Sequence, residues 1–176
     1  MTRYHPAIVV LHWIMAVMII VSLLGGKFSL KPMPLDSPDK VPTIAIHMSI
    51  GLAIGALFLL RLGIRLASDR PPHATTGNDV LDWIGTAAHW VLYGLVAAMV
   101  LSGIAMAFST GLFSIAYGGS GEPLPANLSE IAPRLAHGLF STLLLMLVGL
   151  HIAAALYHQF FLRDGLFRRM WFGKRR

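Results

Sequence analysis

The segment that decides the fold lies in the C-terminal third of the chain, at residues 135–162, LAHGLFSTLLLMLVGLHIAAALYHQFFL. It contains no Asp, Glu, Lys or Arg, and it is longer than the roughly 20 apolar residues that an α-helix needs to cross a bilayer. The alternation typical of a strand is absent, and an open sheet could not satisfy its backbone in lipid. The segment therefore predicts a membrane-spanning helix, and the histidines within it are candidate functional groups because ionisable residues are costly there.

Three more apolar segments repeat this pattern toward the N-terminus, at residues 7–25, 43–66 and 83–108. The 176-residue chain is 56% hydrophobic and only 12% charged, against about 25% charged residues in an ordinary soluble domain. Its mean hydropathy is +0.68, which excludes a disordered chain and argues against a small water-soluble domain. The sequence predicts an all-α, four-helix transmembrane bundle formed by residues 1–176 as a single domain.

The connections between these segments are rich in turn-forming residues. Residues 26–42 contain four prolines, and the longest connection, residues 109–134, contains the run Gly118-Gly119-Ser120-Gly121. Such clusters indicate loops. Within the longest loop, residues 127–131 are predicted to form a short surface helix.

Lysine and arginine indicate the orientation of the bundle, because cytoplasmic loops carry an excess of them. One side holds ten of these residues and the other side holds four. The ten are Arg3, Arg61, Arg65, Arg70, Arg163, Arg168, Arg169, Lys174, Arg175 and Arg176, and the four are Lys27, Lys31, Lys40 and Arg134. Four acids on each side leave +6 on the first side and zero on the second. Both termini are therefore expected in the cytoplasm, and the pI near 10.2 reflects this topology and not a nucleic-acid surface.

Five of the eight histidines lie inside the apolar segments, namely His12, His47, His89, His137 and His151. His137 and His151 are 14 residues apart on one predicted helix, which is nearly four turns, so they share a face but lie about 21 Å apart along the axis. One small ligand cannot bridge that distance. Two centres at different depths are therefore required, and each needs a second ligand.

The depth of each histidine in the expected topology supplies its partner. His12 enters its helix from the inner side, at the depth of His151, and His47 enters from the outer side, at the depth of His137. Two imidazoles across an apolar gap suit haem b iron, whereas zinc or nickel would need further ligands that the segments do not offer. Cysteine is absent, which excludes iron–sulfur clusters and covalent haem. His89 also lies at the inner depth and could replace His12 or His151.

Short motifs around these histidines resemble the bacterial cytochrome b561 family, the four-helix di-haem group related to the cytochrome b subunits of hydrogenases and formate dehydrogenases. The motifs are Leu11-His12-Trp13, Ile46-His47, Ala136-His137-Gly138 and Gly149-Leu150-His151. The similarity covers essentially the whole chain, including the basic tail. It implies two non-covalent b haems, ligated by His12 with His151 and by His47 with His137.

The resemblance also implies a function and a location. Members of this group carry electrons in the bacterial inner membrane. The resemblance further implies oxidation of superoxide to O2 on the periplasmic side, with the electrons passing through both haems to ubiquinone. We therefore expect a superoxide:quinone oxidoreductase embedded in lipid. The alternative is a cytochrome b anchor that carries electrons for a dehydrogenase or hydrogenase partner. A histidine-lined metal transporter, a third class, would bind no haem.

Residues at the inner side are expected to assist the inner centre. Arg61 and Arg65 can pair with haem propionates, although arginine there can also extend to lipid headgroups. His158 lies seven residues beyond His151 on nearly the same face and is expected to exchange protons with the quinone. The alternative for His158 is a hydrogen bond to lipid or water at the interface.

The outer cations are expected to attract superoxide, because a local positive field raises the encounter rate of an anion. They are Lys27, Lys31, Lys40 and Arg134, and the approach of superoxide is expected near Lys27, Lys31 or Arg134. The outer side carries no net charge, so this attraction must be local. For each residue singly, anchoring at the membrane interface is the alternative.

Overall fold

The computed structural model describes residues 3–69, 71 and 77–173. Arg70 and the last three basic residues, which contribute to the predicted orientation, lie outside the described residues. The helices are α1 (Pro6–Gly25), α2 (Lys40–Ala67), α3 (Asp79–Ser109), α4 (Leu112–Tyr117) and α5 (Ala132–Tyr157). A π-helical turn at Gly26–Leu30 extends α1, another at His158–Leu162 extends α5, and a 3-10 turn follows at Leu166–Met170. No residue in the described ranges lies in a strand.

The four predicted spans are confirmed. Helices long and apolar enough to cross a membrane cover Pro6–Leu30, Lys40–Ala67, Asp79–Ser109 and Ala132–Leu162. Each begins one to four residues before its predicted start, because polar and proline residues form the first turn. In α3, for example, the Asn78 side chain accepts hydrogen bonds from the amides of Val80 and Leu81, which satisfies two free donors of the helix start.

The core of the bundle lies at mid-depth, where each long helix contributes one buried side chain. Leu23, Ile54, Val96 and Leu144 form this cluster. Leu144 is only 3% exposed and lies seven residues from each of the two α5 histidines that the sequence singles out. A tightly packed apolar layer therefore separates the two ends of α5.

Packing between the helices is uneven. The most extensive interface joins α3 to α5, and the next joins α1 to α2, whereas α1 and α5 barely touch. Gly55 of α2 lies so close to α3 that an added Cβ would come within 2.9 Å of Val100. Here the glycine serves close helix packing.

The first and last described segments of the chain meet at the same end of the bundle, as an even number of spans requires. Arg3 donates hydrogen bonds to the carbonyl oxygens of Trp171 (3.2 Å) and Phe172 (2.8 Å). The predicted shared side of the two termini therefore agrees with the fold.

We call the end of the bundle opposite Arg3 and Phe172 the outer end, after its expected orientation, and the other end the inner end. The connections at the outer end differ from the prediction. Residues 127–131 form turns, so the predicted surface helix there is wrong, and the helix of this loop is α4 at Leu112–Tyr117. The Tyr117 hydroxyl fastens α4 to α2, at 2.9 Å from the Ser49 hydroxyl and 3.1 Å from the Ala45 carbonyl oxygen. These contacts join residues that are far apart in the sequence and fix the position of α4. Local turn propensity carries no information about such contacts, so it could not predict this helix.

Candidate functional site

His47 of α2 and His137 of α5 face each other near the outer end of the bundle. Their ring centroids are 6.2 Å apart, and the ring planes are inclined at 81°. A metal–imidazole bond of about 2 Å places two rings that share one metal about 6 Å apart. The separation of this pair therefore fits a metal ion held between the two imidazoles.

His12 of α1 and His151 of α5 form the equivalent pair near the inner end. Their centroids are 6.3 Å apart with an interplanar angle of 72°. Both predicted pairs are thus brought together by the fold. One pair joins α1 to α5 and the other joins α2 to α5. In both cases the two helices have little direct packing against each other.

His89 lies beside the inner pair but in a different arrangement. Its ring centroid is 5.4 Å from that of His151, in an edge-on contact, which is closer than two rings sharing a metal. The side chain is exposed, and its Nδ1 donates a hydrogen bond of 2.6 Å to the Gly85 carbonyl oxygen. This geometry favours His12 over His89 as the partner of His151.

Serine hydroxyls lie against the Nδ1 atoms of the outer pair. Ser102 Oγ lies 3.0 Å from His137 Nδ1, and Ser22 Oγ lies 3.4 Å from His47 Nδ1. Ser102 also donates its single proton to the Met99 carbonyl oxygen at 3.0 Å, so it accepts from His137. Nδ1 of His137 is therefore the protonated nitrogen, and Nε2 keeps the lone pair that a metal requires.

Glycines make room for both outer rings. A Cβ added to Gly26 would lie 3.1 Å from Cε1 of His47, and one added to Gly103 would lie 3.3 Å from Cε1 of His137. Gly51, one turn beyond His47, has no heavy atom within 4 Å of such a Cβ. The backbone beside the outer pair is therefore open enough for a planar ligand.

Two half-buried arginines of α2 lie at the end of the bundle that holds the inner pair. The Nε atoms of Arg61 and Arg65 are buried without a hydrogen-bond partner in the described part of the chain. Arg61 donates through Nη1 to the Tyr93 hydroxyl at 2.7 Å and lies within electrostatic range of His12 and His151. A buried unpaired guanidinium nitrogen is costly, so these residues fit the carboxylates of a ligand that reaches this end of the bundle.

The predicted outer cations are placed differently from one another. Lys27 and Lys31 are exposed, whereas Arg134 is half-buried and lies within electrostatic range of both outer histidines. Lys40, the fourth outer cation, is buried, and its Nζ donates to the carbonyl oxygens of Leu30 (2.8 Å) and Met33 (2.7 Å). Lys40 therefore holds the first loop together.

His158 has a partner that the sequence did not predict. Its Nδ1 is hydrogen-bonded to the carboxylate of Asp164, whose other oxygen accepts from the Leu166 amide at 2.9 Å. Partial burial raises the pKa of Asp164, but the hydrogen bonds from His158 and Leu166 outweigh it and hold this pKa below its usual range. The pair closes the turn after α5.

The residues present fit haem b and do not fit a metal cage. In the described ranges no group of three or more His, Asp or Glu side chains could hold a metal ion, so each histidine pair would offer a metal only two protein ligands. Two opposed imidazoles, glycines beside the outer pair and guanidinium Nε atoms without an acceptor together match an iron porphyrin with propionates.

Several residues that shape the site were not predicted from the sequence, namely Ser22, Ser102, Tyr93 and Asp164. Each acts on a residue far away in the chain or beyond a turn. Their signal in the sequence is only that they are polar residues in or beside apolar segments, which does not identify their partners.

The fold and the paired histidines define the class of membrane-embedded b-type cytochromes. The chain belongs to the prokaryotic cytochrome b561 family, whose model matches residues 3–173. It is also similar to a protein of Yersinia pestis named probable superoxide oxidase CybB, with 32% identity over 133 residues that cover 74% of this chain and 75% of the relative. The family makes this protein a multi-pass membrane oxidoreductase that transfers electrons, with haem b as cofactor.

Proposed function

We propose that this protein oxidises superoxide at the periplasmic face of the inner membrane and delivers the electrons to ubiquinone at the cytoplasmic face. Each superoxide ion loses one electron and leaves as O2. Two such electrons and two protons convert one ubiquinone to ubiquinol. Haem b, one bound by His47 and His137 and one by His12 and His151, supplies the one-electron redox chemistry.

The observation that carries the proposal is the pair of facing imidazoles at each end of α5, with Leu144 midway between them. Two sites at two depths span the apolar layer, as transfer of charge from one face to the other requires. The name of the Yersinia pestis relative supports superoxide as the donor.

At the outer face, Lys27, Lys31 and Arg134 are proposed to raise the local concentration of superoxide. Exposed charges act over a Debye length of about 10 Å at 0.1 M salt, so Lys27 and Lys31 act on the approaching anion. Arg134, half-buried beside the histidine pair, acts at the end of the approach.

At the inner face, Arg61 and Arg65 are proposed to bind the propionates, which satisfies their unpaired Nε atoms. Tyr93 orients both guanidinium groups: it accepts from Arg61, and its ring centroid lies 5.3 Å from Cζ of Arg65. His158 is proposed to exchange protons with the quinone, while the hydrogen bond between its Nδ1 and the Asp164 carboxylate holds the ring in place. The positive excess around the termini supports a cytoplasmic location for this face.

Stopped-flow absorbance after a superoxide pulse tests the proposal. We expect the haems to be reduced faster than superoxide dismutates and to be reoxidised by added ubiquinone. His158→Ala should leave the reduction unchanged and slow the reoxidation, and Gln159→Ala, a change at the adjacent position, should affect neither. If superoxide does not reduce the wild-type haems, the proposal fails, and the alternative of an electron-carrying membrane anchor for a dehydrogenase or hydrogenase takes its place.

A further inference from the structure

The last described segment of the chain returns to the beginning of α1. We call residues Leu166–Phe172 the C-terminal strap. Besides the two hydrogen bonds from Arg3, its Arg169 carbonyl oxygen accepts from the Tyr4 amide at 3.3 Å. The strap is therefore fastened to the chain just before α1, where a helix start would otherwise fray.

Trp13 is the point at which the strap reaches into the bundle. Its indole Nε1 donates a hydrogen bond of 2.8 Å to the Met170 carbonyl oxygen. Its ring also makes edge-on contacts with Phe167, at 6.1 Å between centroids, and with Trp171, at 5.5 Å. The indole is held by one directional bond and two aromatic neighbours, all from the strap.

The same indole contacts the neighbouring histidine. The ring centroids of His12 and Trp13 are 5.4 Å apart, with their planes inclined at 73°. The torsion that rotates an imidazole about its Cβ–Cγ bond has broad minima, so the ring orientation depends on what packs beside it. Trp13 is one of the rings that pack beside the His12 imidazole.

We propose that Trp13 is a positioning residue through which the C-terminal strap fixes the imidazole orientation of His12 and so retains the inner haem. This inference rests on the proposed function, in which His12 and His151 hold that haem. The strap thereby links the inner redox site to a segment beyond the last membrane span.

Electron paramagnetic resonance of the oxidised, haem-loaded protein gives a direct readout. Low-spin ferric haem with two nearly perpendicular imidazoles gives a highly anisotropic signal, whereas nearly parallel imidazoles give a rhombic one. Trp13→Phe keeps an aromatic ring but removes the donor to Met170. We expect the inner-haem signal, identified as the one lost in His12→Ala, to move toward the rhombic form while the outer signal stays unchanged.

Haem transfer to excess apomyoglobin in detergent is the second readout. Trp13→Phe should release the inner haem about fivefold faster, as the loss of one hydrogen bond predicts. Arg3→Ala, which loosens the strap but leaves the indole, should change release in the same direction. Trp83→Phe is the matched control, because Trp83 lies on α3 and is 70% exposed, and it should change neither readout.

The outcomes separate this inference from the proposed function. If His12→Ala removes one of two low-spin signals but Trp13→Phe alters neither that signal nor the release rate, the role of Trp13 is overturned and the haem assignment stands. If His12→Ala leaves both signals intact, the assignment of His12 is overturned, and the role of Trp13 with it.

Discussion

The hydroxyl oxygen of Ser102 lies 3.0 Å from Nδ1 of His137 and accepts a hydrogen bond from it. This contact joins α3 to α5 within their extensive interface and leaves Nε2 of the histidine with the free lone pair that a metal ligand needs. The serine is only 8% exposed, so water cannot readily take its place.

Ser102→Ala is expected to weaken haem binding at the outer site about tenfold, because the loss of a partner that orients a metal-ligating histidine costs 10- to 100-fold in affinity. Titration of the haem-free protein with haemin measures this. Ser109→Ala is the matched control, since Ser109 also lies on α3 and donates to a carbonyl oxygen three residues earlier. Equal effects of the two changes would contradict the orienting role of Ser102.

The imidazole planes in both pairs are far from parallel, at 81° and 72°. Both haems of the oxidised wild-type protein should therefore give highly anisotropic low-spin signals in electron paramagnetic resonance. A rhombic signal from either haem would show that the ring orientation in the loaded protein differs from the one described here.

His89 and His12 compete for the role of inner ligand, and their substitution should separate them. His89→Ala should retain two low-spin haems, because its ring is exposed and too close to His151 to share a metal. His12→Ala should lose one. A pyridine haemochrome assay with optical spectra of both variants measures this, and the reverse result would assign the inner site to His89.

The double change Lys27→Ala and Lys31→Ala should slow reduction of the haems by superoxide and flatten its dependence on salt, because both lysines are exposed outer cations. Rapid mixing at several ionic strengths measures the rate. Arg168→Ala, which removes an exposed cation from the opposite end of the bundle, should leave the rate unchanged. An unaltered rate in the double variant would show that these lysines do not attract superoxide to the outer face.

The spans and the pairing of histidines were predictable because both depend on quantities that the sequence contains directly. Apolar length determines where the chain crosses the membrane, and the direction of each span determines the depth of each histidine. His47 and His137 are thus expected to face each other although they are 90 residues apart.

The supporting contacts were not predictable, because they depend on how the helices rotate and where loops return. The sequence alone does not show that Ser102 faces His137 or that Lys40 is buried among loop carbonyl groups. Nor does it show that the Met170 carbonyl oxygen accepts a hydrogen bond from Trp13. The position of α4 was missed for the same reason, since its contact with Ser49 lies outside its own loop.

The central claim is that two histidine pairs at two depths each hold a haem b, and haem counting in the His137→Ala variant tests it most directly. We predict two haems per wild-type chain by the pyridine haemochrome assay, both low-spin, and one low-spin haem retained in His137→Ala. Two intact low-spin haems in His137→Ala, or a single haem in the wild type, would contradict the account.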